Sequence, residues 1–217
     1  MTDGSDEALE RAQLLLALRQ RGIRDRAVMS ALERVPRELF VEAAFRPLAW
    51  ADQALPIDCG QTISQPAVVA LMAQALDLAP GHRVLEVGTG SGYAAAILGQ
   101  ITLEVVSVER FRTLADAAAR RLDSLGLSNV EVAIADGMRG YGARAPYDRI
   151  LLSAAVEEIP APILEQLAPE GVLVAPVGPP EDTQVLLRVA RVGTGLERRE
   201  LGHVRFVPMR PGIATVL

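Results

Sequence analysis

The chain has 217 residues, 22 basic and 27 acidic side chains and a net charge of −5. That length fits one large domain, residues 1–217, with a sizeable core, and an acidic balance without blocks of like charge argues against a nucleic-acid surface. Half of the residues are hydrophobic, yet no run approaches a membrane span and the polar residues 1–8 are no secretory signal, so no membrane partner and a cytoplasmic setting are expected.

The first part, about 1–80, reads as helical. Helices are expected over 5–20 and 25–34, with Asp25 as N-cap of the second and Pro36 ending it. Residues 46–63 contain Pro47, Pro56 and Gly60 and read as irregular. A helix then starts near Pro66, where a missing N–H costs nothing, and runs to about Leu76. Just before it stands Gly60-Gln61-Thr62-Ile63-Ser64-Gln65. Ser64 or Thr62 could cap this helix; alternatively the helix end could receive a carboxylate, with the Ser64 hydroxyl as an added donor.

The second part, about 81–217, alternates. Strands are expected at 83–87, 103–109, 129–134, 148–153 and 171–177, and helices at 91–100, 112–125 and near 160–167. Extended segments follow at 183–192, 196–201 and 204–208. This is an α/β pattern: a doubly wound, mostly parallel sheet with an antiparallel edge. Ligands in such sheets sit beyond the carboxyl ends of the strands, which puts Gly88, Glu109, Asp136 and Ser153 on one rim.

Residues 84–92 read Val-Leu-Glu-Val-Gly-Thr-Gly-Ser-Gly. Glycines at a tight strand-to-helix turn let a cofactor approach the main chain closely. Dinucleotide sites usually read G-x-G-x-x-G against a pyrophosphate; here Gly88, Gly90 and Gly92 follow an acid, Glu86, which suits a positively charged amino group better than a phosphate. Glu109 ends the next apolar run, where an acid can take the hydroxyls of an adenosyl ribose. S-adenosylmethionine has the amino group and the ribose and carries no phosphate. An ordinary tight turn is the plainer alternative.

Other chemistries drop out. Cys59 is the only cysteine, so no internal disulfide forms, and with His82 and His203 far apart no metal site is expected. All basic residues are arginine, which removes a Schiff-base lysine and a Walker-type phosphate loop. No nucleophile–base pair is evident. Asparagine occurs once, at Asn129, and Asp-Gly pairs stand at 3–4 and 136–137. Of these, Asp3-Gly4 is expected to age to isoaspartate.

Five stretches resemble the protein-L-isoaspartate O-methyltransferase family: RVPRELFV at 34–41, LPIDCGQTISQP at 55–66, VLEVGTGSGY at 84–93, DGMRGYGARAPYDRI at 136–150 and VRFVP at 204–208. They keep the family's order. The resemblance implies a Rossmann-like S-adenosylmethionine-dependent methyltransferase fold. It implies Ser64 as the active-site serine, with Gln61, Thr62 and Ile63 over the cofactor. It also implies Glu109 on the ribose with Arg110 beside it, Asp136 and Gly137 at the adenine edge, and Val204, Arg205, Phe206 and Val207 along a peptide groove. For Arg205 and Phe206 a plain edge strand is the alternative. The implied partner is an isoaspartyl protein or peptide, the product S-adenosylhomocysteine, and the expected state a monomer. An aged Asp3 would then be methylated by a second copy.

One departure stands out: Asp58-Cys59 occupies the place where the family commonly has Gly-His. It keeps open a related methyltransferase acting on aspartyl residues of a maturing peptide. A nicotinamide-dependent oxidoreductase is disfavoured by the glycine spacing.

Overall fold

The computed structural model describes residues 4–214, with side chains from Glu7 onward. Asp3 therefore lies outside the described residues. Two helices open the chain, α1 (Gly4–Gln20) and α2 (Arg26–Arg34). The N-cap at Asp25 holds: its carboxylate accepts the Val28 N–H at 2.9 Å. The α2 face carrying Val28, Met29, Ala31 and Leu32 is buried.

Residues 46–63 are more ordered than their prolines suggest. Strands β1 (Leu55–Ile57) and β2 (Gln61–Ile63) pair antiparallel. Cys59 (φ 60°) and Gly60 (φ 65°) turn between them in the left-handed region. A glycine fits that geometry without strain, and the cysteine before it hid the hairpin from a composition-based reading. Helix α3 (Pro66–Ala75) follows.

From there the chain alternates through β3 (Arg83–Val87), α4 (Tyr93–Gly99), β4 (Glu104–Glu109), α5 (Arg112–Ser124), β5 (Val130–Ile134), β6 (Tyr147–Leu152), α6 (Ala161–Glu165), β7 (Leu167–Val177), β8 (Gln184–Val192) and β9 (Gly195–Val204). The sheet order is β5-β4-β3-β6-β7-β8-β9. The pairs from β5 through to β7 are parallel, and those of β8 with β7 and β9 are antiparallel. The central strands are apolar runs because both faces are covered. Leu85, Val87, Val106, Val108, Ile150 and Leu152 pack on one face, while Val84, Val105 and Leu151 pack on the other, the strand alternation of side chains.

Two boundaries differ from expectation. β7 starts at Leu167, and its register with β6 jumps from Tyr147–Leu167 to Arg149–Val172. The residues between loop out through Glu170 in the left-handed region, which shortens the preceding helix. Past Val204 the chain leaves the sheet rather than forming a further strand.

Between α4 and β5 the lone asparagine is tied down. Asn129 Nδ2 donates to Gly99 O at 2.9 Å and to Thr102 O at 3.0 Å.

Successive strands step outward from β3 in one direction (β4, β5) and from β6 in the other. The crevice at the carboxyl ends of β3, β4 and β6 is therefore the switch point where doubly wound sheets receive ligands.

Candidate active site

A cleft of about 790 Å³, its open mouth included, sits at that switch point. Its floor is the turn after β3. Gly88 (φ 97°), Gly90 (φ 52°) and Gly92 (φ 90°) all lie in the left-handed region. At Gly92 a side chain would also stand 3.1 Å from the Ala118 Cβ on α5, so glycine is needed there for packing as well as for φ.

Glu109 ends β4 and is 5% exposed. Three backbone groups hold its carboxylate: Gly90 N–H donates at 2.9 Å, Arg110 N–H at 2.8 Å and Phe111 N–H at 3.0 Å. The side chain is thus fixed at the rim, bridging the glycine loop and the start of α5.

Glu86 lies on the floor and is fully buried. Ser107 donates to one carboxylate oxygen at 2.5 Å and Ser153 to the other at 3.4 Å, while Thr89 and Ser107 share a hydroxyl contact of 2.6 Å. Burial pushes the Glu86 carboxyl up to about 8, against the lowering effect of the two serines. In the protein alone it holds its proton at neutral pH, ready to ionise opposite a cation.

The second wall is Gln61, Thr62, Ile63 and Ser64. The N-cap of α3 is Gln65, whose side chain makes no cap bond. Pro66 has no N–H. Ala67 N–H donates to the Asp52 carboxylate at 2.8 Å, and Val68 and Val69 N–H donate to Gln65 O at 3.0 and 3.1 Å. Asp52 also accepts from Gln65 Nε2 at 3.0 Å and pairs with Arg21. The first turn of α3 is therefore satisfied from within. Neither Ser64 nor Thr62 caps it, and its end has no donor left for a carboxylate. The Ser64 hydroxyl is half-buried, faces the cleft and has no hydrogen-bond partner among the described residues.

The third wall is the chain after β9. Val207, Pro208, Met209 and Arg210 cross the cleft as a strap. One end is fixed where Ala155 N–H donates to Val207 O at 2.8 Å and Met209 N–H donates to Ala155 O at 2.7 Å. The other end is fixed at Arg110: its Nε donates to Gly212 O at 3.1 Å, and Ala214 N–H donates to Arg110 O at 3.0 Å.

The structure brings Gln61, Thr62, Ile63, Ser64, Glu86, Gly88, Gly90, Glu109, Arg110, Gly137 and Val207 to one cleft. Gly92 lies just behind it, and the Arg110 guanidinium is turned to the strap. Asp136 is not in the lining; its carboxylate caps the following turn by accepting Met138 N–H at 3.0 Å. Its neighbour Gly137 lines the cleft, packed so close to Val87 that a Cβ there would come within 2.5 Å of Val87 Cγ1. Val204, Arg205 and Phe206 are also outside the lining, and Phe206 N–H donates to Gln184 Oε1 at 2.9 Å. Asp58 and Cys59 do not line the cleft either; Asp58 is exposed and acts on Arg121, attracting its charge.

Sequence reasoning missed Thr89, Tyr93, Phe111, Met209 and Arg210 as lining residues. Phe111 and Tyr93 follow the two motifs directly and could have been inferred. Met209 and Arg210 carry no local signal.

The family model for protein-L-isoaspartate(D-aspartate) O-methyltransferase matches residues 9–213. A protein-L-isoaspartate O-methyltransferase 2 of Rhodopseudomonas palustris (strain HaA2) is 54% identical over 208 residues, covering 96% of each chain. A protein-L-isoaspartate O-methyltransferase of Azorhizobium caulinodans is 51% identical over 217 residues, covering both chains fully. Among solved structures, a protein-L-isoaspartate O-methyltransferase superposes with a TM-score of 0.84 at 29% identity, over 94% of this chain and 67% of its own. A Plasmodium falciparum structure, described as a putative enzyme of that name in complex with S-adenosyl-L-homocysteine, shares the fold with a TM-score of 0.79 at 24% identity, over 91% of this chain and 97% of its own. The chain belongs to the protein-L-isoaspartate(D-aspartate) O-methyltransferase family.

Proposed function

We infer that this protein transfers a methyl group from S-adenosylmethionine to the free α-carboxylate of an L-isoaspartyl residue, the first step of repair through a succinimide. The observation that carries this reading is family membership over nearly the whole chain, joined to a cleft that fits the cofactor. The fit rests on the glycine turn, which leaves room for close approach, and on two acids at separate depths. Glu109 would take the ribose hydroxyls. Glu86 would face the amino group, where the new cation favours its ionised form. Gln61, Thr62 and Ile63 would cover the cofactor, and Gly137 would meet its adenine edge.

When bound, the cofactor supplies an electrophilic methyl on a sulfonium. The protein's own part is binding and placement. A substrate carboxylate is already ionised at neutral pH, so no general base is required, and the cleft lining contains no histidine. The carboxylate is a weak nucleophile, and catalysis must come from orientation and exclusion of water. Ser64 would donate its free hydroxyl to one carboxylate oxygen and leave the other to attack. Ile63, Val69, Phe111, Pro208 and Met209 make the surroundings apolar. The ester closes to the succinimide without the enzyme.

The strap Val207–Arg210 would carry the peptide, with Val204, Arg205 and Phe206 acting only outside the cleft mouth. Action as a monomer in the cytoplasm belongs to the same reading; among the described residues no helix is long and apolar enough to cross a membrane. Methylation of an isoaspartyl peptide beside its normal aspartyl twin tests it. Transfer to the first alone is expected. Transfer to the twin would instead favour the aspartyl-directed alternative.

A further inference from the structure

We propose that Arg37 is a positioning residue for the transfer: from one buried point it ties the segment that fixes Ser64 to the tyrosine that follows the glycine loop. This rests on the role given above to Ser64.

Arg37 opens the single helical turn Arg37–Phe40 and is fully buried. It is not part of the cleft lining. Its Nη2 donates to Gln53 O at 3.3 Å. The residue before Gln53 is Asp52, whose carboxylate holds both Ala67 N–H and Gln65 Nε2. Those two bonds set the backbone on the far side of Ser64. On its other side, the Arg37 guanidinium stands 4.8 Å from the centroid of the Tyr93 ring. Tyr93 is the first residue of α4, directly after Gly92, and it lines the cleft. Phe40, from the same turn as Arg37, meets the Tyr93 ring edge-on at 5.5 Å. One short turn therefore grips both the substrate wall and the cofactor wall.

The chemistry of Arg37 is unusual for a spacer. Burial disfavours its charge, and the Tyr93 side chain and the Asp52 carboxylate offset that only in part. A charge so placed does little for stability, and an apolar side chain of similar volume often serves as well or better. What the guanidinium offers is reach in two directions: a planar fork with fixed donors and a face for an aromatic ring. Methyl transfer to a weak nucleophile depends on alignment, and a small misplacement far from the reacting atoms is enough to slow it.

The test uses the full chain with Arg37→Met, Arg37→Lys, Ser64→Ala and the double variant Arg37→Met/Ser64→Ala. Initial rates on an isoaspartyl peptide, titration with S-adenosylhomocysteine and thermal melts are measured on each. Arg37→Met is expected to melt no lower than the parent, to bind S-adenosylhomocysteine within about twofold, and to lose about tenfold or more in kcat. Arg37→Lys restores part of that loss. In the Ser64→Ala background, Arg37→Met removes little further, because both act on one placement. An unchanged kcat per folded enzyme in Arg37→Met overturns the proposal, as do losses that simply multiply in the double variant. If Arg37→Met does not fold, Arg37→Lys decides: parental kcat overturns the proposal, and a fall in kcat that vanishes in the Ser64→Ala background upholds it. An unchanged kcat in Ser64→Ala strikes the Ser64 role itself and this proposal with it. An unchanged kcat in Arg37→Met alone strikes only the latter.

Discussion

The two walls of the cleft are built by different means. The wall proposed for the cofactor is backbone: a glycine turn between β3 and α4, with Glu109 locked by three N–H groups. The wall proposed for the substrate is side chain: Ser64 hangs between β2 and α3, beside the bonds that join Asp52, Gln65 and Arg21. A wall made of backbone resists displacement because the turn is itself bonded to the sheet, Gly88 and Thr89 N–H donating to Val108 O at 2.8 and 3.2 Å. A wall made of side-chain bonds can be shifted by one substitution. The difference predicts where mutations act on affinity and where they act on rate.

The largest effect is expected at Glu109. Glu109→Ala strips three amide donors of their acceptor and removes the proposed ribose partner. Cofactor affinity should fall by about 3 kcal/mol, the upper range for a charged hydrogen bond left unmade, and the melting temperature should fall with it. Titration with S-adenosylhomocysteine alongside a thermal melt checks both. Unchanged affinity would show that the carboxylate serves only the loop.

Next comes Ser64→Ala. One hydrogen bond to a charged group is worth roughly 1.5–3 kcal/mol, so methyl transfer should slow by a factor of about ten to a hundred while cofactor affinity holds. Because Ser64 caps no helix, the melting temperature should not move. A lower melt with normal turnover per folded enzyme would return the residue to a structural role.

Glu86 sharpens the comparison through pH. Its carboxyl ionises near 4.5 when unfolded and at about 8 in the protein. Between those values the folded state binds the extra proton, so stability falls as pH rises from about 4.5 to 8 and levels off above. Glu86→Gln should remove that contribution, leaving the variant the more stable of the two at pH 8 and the weaker in cofactor binding. Melts across that range read the first effect and titration the second. Parallel pH profiles for parent and variant would show that the site is better hydrated than its burial implies.

The smallest effect is expected at Asp52→Ala. Losing the side-chain acceptor at the start of α3 costs about 1 kcal/mol of stability. The accompanying drop in kcat should exceed any change in cofactor affinity, since Gln65 loses its anchor beside Ser64. Equal changes in both would mean that the two walls move as one.

Much of this was legible beforehand, and unevenly. The doubly wound sheet is written in apolar runs at Val84–Val87, Val105–Val108 and Ile150–Leu152, whose two buried faces demand them. The glycine wall was legible because backbone in the left-handed region selects glycine. The hairpin before Ser64 was not, since Cys59 adopts the same conformation without advertising it. The resemblance names Asp136 and Phe206 as site residues; in the structure one Asp136 carboxylate oxygen accepts Met138 N–H, the Phe206 N–H donates to Gln184, and neither residue lines the cleft. The cap on α3 comes from Asp52, fifteen residues before Ala67, and no local pattern announces such a bond. The Arg110 grip on the strap spans a still longer stretch of chain.

The clamp on Asn129 has a consequence for the protein's own ageing. Isoaspartate arises when the N–H nitrogen of the next residue attacks the side-chain carbonyl of asparagine or aspartate. Asn129 is the only asparagine in the chain. Its amide is held by two carbonyls, the nitrogen that would have to attack belongs to Val130, and that N–H is already engaged with Leu127 O at 3.2 Å. At Asp136 one carboxylate oxygen is held by Met138 N–H. At its single asparagine and its one described Asp-Gly pair, the protein thus ties down groups whose reaction would make the lesion its family repairs, which leaves Asp3-Gly4, outside the described residues, as the pair expected to age.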